Sequence, residues 1–178
     1  MGLSRSRRAG TSGARTRGRA SPSPRASFEE LEIRTADGVA LRAVVEDPPP
    51  DIPMRGTCVM AHAMFARKSE FGRRDRAGLA QAYAARGWRV VAFYFRGHGD
   101  SATDDRSWGY DDLVRFDLPA VVECARARSE GRPVVVLGHS LGGHVTHAAP
   151  AARRMTADGV IAVAAHVWLR ELEGSQLR

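Results

Sequence analysis

Apolar residues in this chain gather into four short continuous runs: 57–61, 89–95, 133–137 and 160–165, the last reaching from Val160 to Ala165. Each is strand-length and rich in β-branched or aromatic residues, the pattern of strands buried on both faces. The segments between them read differently. Residues 78–86 favour helix by propensity, and Gly87 stops them. Residues 111–128 place Leu113, Phe116, Ala120 and Cys124 on one helical face, with Pro119 predicting a kink or a restart. A third helix is predicted from Leu141 to about residue 149. Ahead of these units, residues 28–47 alternate. Leu31, Ile33 and Thr35 are separated by polar residues, Asp37-Gly38 supplies a turn, and 40–46 returns until Pro48-Pro49-Pro50 ends it. The prediction is an α/β domain: a mostly parallel sheet, covered on both faces, with an N-terminal antiparallel hairpin.

Composition changes this picture only at the N-terminus. The 178 residues suit one domain and are 43% hydrophobic. The net charge of +7 would suggest a nucleic-acid surface if it were spread over the domain. It is not. Residues 1–27 hold seven arginines and no acid, leaving 20 basic against 20 acidic residues in 28–178. The chain therefore divides into a basic tail, predicted to be disordered, and one domain over 28–178 with no predicted nucleic-acid partner. Arg7-Arg8 is not followed by an apolar stretch, as a twin-arginine export signal requires. No run approaches the roughly 18 apolar residues of a membrane span. Cys58 and Cys124 lie in apolar surroundings and read as free thiols, consistent with a cytoplasmic protein.

The chemistry concentrates where the third run ends, in Gly138-His139-Ser140-Leu141-Gly142-Gly143. A strand running into Gly-x-Ser-x-Gly and straight into a helix is the pattern of a nucleophile elbow. Gly138 and Gly142 let strand and helix pass close together. The Ser140 hydroxyl is delivered to a helix N-terminus, where free N–H groups favour negative charge. Two rival motifs are weaker. Gly97-His98-Gly99-Asp100-Ser101-Ala102 fits a dinucleotide fingerprint, yet a polar acidic loop follows it instead of a helix. His144 and His147 share a helix face, but no further ligand sits at metal spacing. Neither cofactor nor metal is predicted.

Three segments together resemble the α/β-hydrolase family, in its monoglyceride-lipase and serine-aminopeptidase-like branch. They are His62-Ala63-Met64-Phe65, Arg96-Gly97-His98-Gly99-Asp100-Ser101 and the Ser140 motif. The resemblance implies Ser140 as nucleophile and an oxyanion hole from the backbone N–H groups of Leu141 and Met64. Ala63 stands where the family usually has glycine. His62 is read both as part of this site and as a loop histidine with a structural hydrogen bond. His98 is read as shaping its turn, and His139 as pointing away from Ser140. In the family an Asp or Glu and then a His follow the serine, each after a further strand. Here one predicted strand remains, and His166 precedes Glu171 and Glu173, the wrong order. The expectation is a C-terminally truncated α/β-hydrolase fold without its last strands and lid. It would hydrolyse a small-molecule ester through a seryl intermediate, with low activity alone. It would also self-associate through the open Val160 to Ala165 edge. The alternative is a non-enzymatic interaction protein using that edge or the basic tail.

Overall fold

The structure is a computed structural model that describes residues 28–65, 70–72, 78–101 and 107–165. The basic tail and His166, Glu171 and Glu173 lie outside the described residues. Six strands form one sheet in the order β1-β2-β4-β3-β5-β6. They are β1 (Phe28–Arg34), β2 (Ala40–Glu46), β3 (Gly56–Ala61), β4 (Trp88–Phe93), β5 (Val134–His139) and β6 (Gly159–Val163). β2 is antiparallel to both β1 and β4, and the other pairs are parallel. The hairpin turns where Asp37-Gly38 predicted it. Gly38 takes φ 91°, a left-handed conformation that glycine adopts without strain.

β3 is the centre of the sheet, and all six of its residues are buried. Its alternation divides the core. Cys58 and Met60 face one side with Val90 and Leu137, beneath Ala80 of α1 (Leu79–Ala84). Val59 and Ala61 face the other side with Val91 and Val136. That side is covered by α3 (Leu118–Ala127) and α4 (Leu141–Ala151), through Leu118, Val121, Val122 and Val145. Each such side chain contributes roughly 1.5–3 kcal/mol when fully buried. Cys58 and Cys124 are free, and burial pushes the Cys58 thiol up to about 12, so it stays protonated.

Two predicted elements differ in detail. The strand predicted over 89–95 ends at Phe93. The Tyr94 N–H still bonds the Arg42 carbonyl, one register step beyond the Ala43–Phe93 pair, but the Phe95 N–H turns away to the imidazole of His62. The helix predicted over 111–128 is instead a short α2 (Tyr110–Asp112), a π turn (Leu113–Asp117) and α3. The Leu118 N–H reaches back five residues to the Leu113 carbonyl. Pro119 follows immediately; it has no N–H to donate, and its ring needs room in the preceding turn, which the wider π turn provides.

The π turn carries Asp117, which is wholly buried and binds Arg96 twice. Its carboxylate accepts the Arg96 backbone N–H at 2.9 Å and the Nε–H at 2.8 Å. The far side of the guanidinium meets Asp37 of the hairpin turn at 2.8 and 2.9 Å. Burial works against the Arg96 charge, but the two carboxylates outweigh it and push its pKa up. Hydrogen bonding from Arg96 leads the effects that hold Asp37 down at about 2. This clamp joins three distant segments and fixes where the chain turns after β4.

β6 closes the sheet on the far side. Among the described residues it pairs only with β5, and Val160, Ile161 and Val163 are exposed.

Candidate active site

Ser140 sits between β5 and α4 with φ 50° and ψ −113°, a conformation that L-residues rarely adopt. Holding a serine there costs about 1–3 kcal/mol, so the surroundings must enforce it. They do so from three directions. The Ser140 N–H donates to the Val163 carbonyl of β6 at 2.9 Å, and its carbonyl accepts the His144 N–H at 3.0 Å. The Gly142 N–H donates to the His62 carbonyl at 3.0 Å. The two glycines flanking the motif permit this closeness. A Cβ on Gly138 would lie 2.3 Å from the Gly142 oxygen, and one on Gly142 would lie 2.1 Å from the Ala61 oxygen.

Leu141 is the first residue of α4, so its N–H has no acceptor within the helix. Gly142, one residue on, spends its N–H on His62, which sets the loop after β3 beside the first turn of α4. In that loop Met64 is half-exposed, and Phe65 is 86% exposed with φ 60°. The left-handed residue is therefore Phe65; Ala63, standing in place of a glycine, does not need that conformation.

His62 is buried, and its ring is committed at both nitrogens. Nε2 accepts the Phe95 N–H at 3.0 Å, so Nδ1 carries the proton and donates to the Ala63 carbonyl at 2.7 Å. Burial is the main cause of its lowered pKa, which keeps it neutral. Of its two readings, the structural hydrogen bond is the one observed. His98 also has a structural bond, to the Arg96 carbonyl at 3.0 Å. Ser101 is a strut: it donates to the Tyr94 carbonyl at 2.7 Å and accepts the Arg42 N–H at 2.9 Å. The glycine turn after β4 is thus a structural corner.

One pair escaped sequence reasoning altogether. The carboxylate of Glu70 accepts the Nδ1–H of His139 at 2.6 Å and also the Ala63 N–H, at 3.0 and 3.1 Å. It therefore joins the loop after β3 to the residue immediately before Ser140. Only the bare presence of an acid shortly after His62 could have hinted at it. Among the described residues no imidazole bonds the Ser140 hydroxyl, and no three His, Cys, Asp or Glu residues come together as a metal site. His144 and His147 remain on α4 without such partners.

The strand order, the single antiparallel β2 and the strained strand-to-helix bend after β5 define an α/β-hydrolase fold. The chain belongs to the family described as serine aminopeptidase, S33, whose profile matches residues 53–177. No curated protein matches it. Among solved structures, it is similar to an α/β serine hydrolase without a lid from Xanthomonas campestris. That match has 26% identity and a TM-score of 0.61, covering 80% of this chain and 63% of the other. An α/β serine hydrolase homologue from Coxiella burnetii shares the fold at 22% identity and TM-score 0.63, covering 82% and 67%. An esterase from Pyrococcus furiosus does so at 24% and 0.55, covering 68% and 45%. The chain thus spans less than two thirds of the Xanthomonas hydrolase and of the esterase. Among the described residues no helix is long and apolar enough to cross a membrane.

Proposed function

We propose that the protein is a serine hydrolase acting on small-molecule esters, with Ser140 as nucleophile. The observation that carries this reading is the strained backbone of Ser140 at the junction of β5 and α4. A bend of that kind lifts the hydroxyl clear of both elements and aims it at a substrate. In the proposed reaction the serine oxygen bonds the acyl carbon and gives up its proton to solvent water. The carbonyl electron pair moves onto oxygen, and the oxyanion is met by the Leu141 and Met64 N–H groups. Collapse breaks the ester C–O bond, and the departing alkoxide takes a proton from solvent and leaves as the alcohol. Water then cleaves the seryl ester, releasing the acid and restoring the Ser140 hydroxyl. Membership of a hydrolase family and likeness to esterase structures support the reaction class.

A serine hydroxyl is a weak nucleophile without a base beside it. Since no imidazole among the described residues bonds Ser140, the chain alone reacts slowly in this reading. Purified protein incubated with a fluorophosphonate probe at pH 9 for a day should acquire the label on Ser140, located by mass spectrometry. Labelling that survives Ser140→Ala, or none at all, would remove the proposal. A second reading rests on β6: the exposed Val160, Ile161 and Val163 favour association through that edge.

A further inference from the structure

We propose that Glu70 is a positioning residue: its carboxylate locks the Ala63 amide to the His139 imidazole, so that the Met64 and Leu141 amides face one oxyanion. The inference rests on the serine-hydrolase reading above and adds to it the group that assembles the hole.

The two halves of the proposed hole belong to different parts of the chain. Leu141 follows the bend after β5, whereas Met64 lies in the loop after β3. A donor misplaced by about 1 Å can lower a rate by roughly 10²-fold, so something must set their separation. The backbone supplies one link, from the Gly142 N–H to the His62 carbonyl at 3.0 Å. That link fixes the base of the loop, two residues short of Met64. Beyond it the loop must carry Phe65 at φ 60°, an unfavourable conformation for an aromatic residue. A second tie is needed between the base and the strained tip.

Glu70 occupies that place. One of its oxygens, Oε1, lies 3.1 Å from the Ala63 nitrogen and 2.6 Å from His139 Nδ1; Oε2 lies 3.0 Å from the same amide. Ala63 immediately precedes Met64, and His139 immediately precedes Ser140. A single carboxylate therefore holds the neighbours of both functional positions. Its side chain is 17% exposed, which limits competition from water and strengthens these charge-assisted bonds. The other polar groups nearby are already engaged: His62 in the Phe95 amide and the Ala63 carbonyl, His98 in the Arg96 carbonyl.

The test compares wild type, Glu70→Ala and Glu70→Gln on the full chain, with two readouts. Amide hydrogen exchange at Ala63 requires no catalysis. Glu70→Ala should speed it roughly 10- to 100-fold, the worth of one hydrogen bond to a charged group. The fluorophosphonate reaction is resolved into probe affinity and the rate of bond formation. Glu70→Ala should leave affinity nearly unchanged and slow bond formation by up to roughly 10²-fold. Glu70→Gln should recover most of the loss, because its one oxygen can take the place of Oε1, within reach of both donors. If Glu70→Ala does not fold, His139→Ala severs the bridge from the other end and is read by the rate of bond formation alone, since it leaves the Glu70–Ala63 bonds in place. Bond formation at the wild-type rate in a folded Glu70→Ala or His139→Ala protein overturns the proposal, as does unchanged Ala63 exchange in Glu70→Ala. Labelling indifferent to Ser140→Ala overturns the hydrolase reading instead, and the exchange result still reports on the tie.

Discussion

The carbonyl oxygen of Ala61 occupies the space that a side chain on Gly142 would need: a Cβ there would lie 2.1 Å from it. The end of β3 and the first turn of α4 are in backbone contact, and the contact is secured by the Gly142 N–H bond to His62. Gly142→Ala must push the helix off the sheet. We expect a loss of about 1–3 kcal/mol, typical of overpacked sites, measured as a lower urea midpoint. A variant as stable as wild type would show that the bend has slack.

Asp117 and Arg96 form a pair that cannot be half removed. Asp117→Ala leaves a buried guanidinium with Asp37 alone, on the exposed side of the clamp. Breaking a buried pair in this way typically destabilises by about 3–5 kcal/mol. Denaturant unfolding should show a loss of that size, and a loss below 1 kcal/mol would contradict the clamp's role.

Glu46 predicts a pH dependence. It is buried at the end of β2; one oxygen accepts from Gln81 at 3.0 Å, while the other has no hydrogen-bond partner among the described residues. Burial pushes its carboxyl up to about 7 from an ordinary 4.5, partly offset by the Gln81 bond. Between these values the folded protein binds the proton more tightly than the unfolded chain. Stability contributed by this group is therefore full below about pH 4.5, falls as pH rises, and is lost above about pH 7. Glu46→Gln should melt higher than wild type at pH 8 and show little difference at pH 4.5. Parallel melting curves at both pH values would rule the effect out.

The β6 edge makes a prediction about association. Ile161 is exposed on the outermost described strand, and a lysine there would oppose edge pairing. Sedimentation should show concentration-dependent association of wild type that Ile161→Lys reduces. A wild type that stays monomeric across the range would dispose of the second reading.

The elements were legible wherever their signal was contiguous along the chain. Four apolar runs marked β3 to β6; β3 is buried on both faces and has no wet side to interrupt it, whereas β6 is equally apolar but exposed, which its sequence did not distinguish. The hairpin was visible from alternation and from Asp37-Gly38. Pro119 announced a break in the helix, although not that the chain would widen into a π turn and bury Asp117 there. β4 ends two residues before its apolar run does: Tyr94 still gives its N–H to the Arg42 carbonyl of β2, but Phe95 gives its own to the His62 ring.

By itself the amino-acid order determined the fold class and the position of the Ser140 bend, because strand, glycine, serine, glycine and helix are adjacent along the chain. Tertiary structure alone decided that His62 is a structural prop and that Glu70 meets His139, a partner 69 residues away. That meeting follows from β3 and β5 lying side by side in the sheet. Local propensity carries no information about such neighbours; the packing of whole strands creates them.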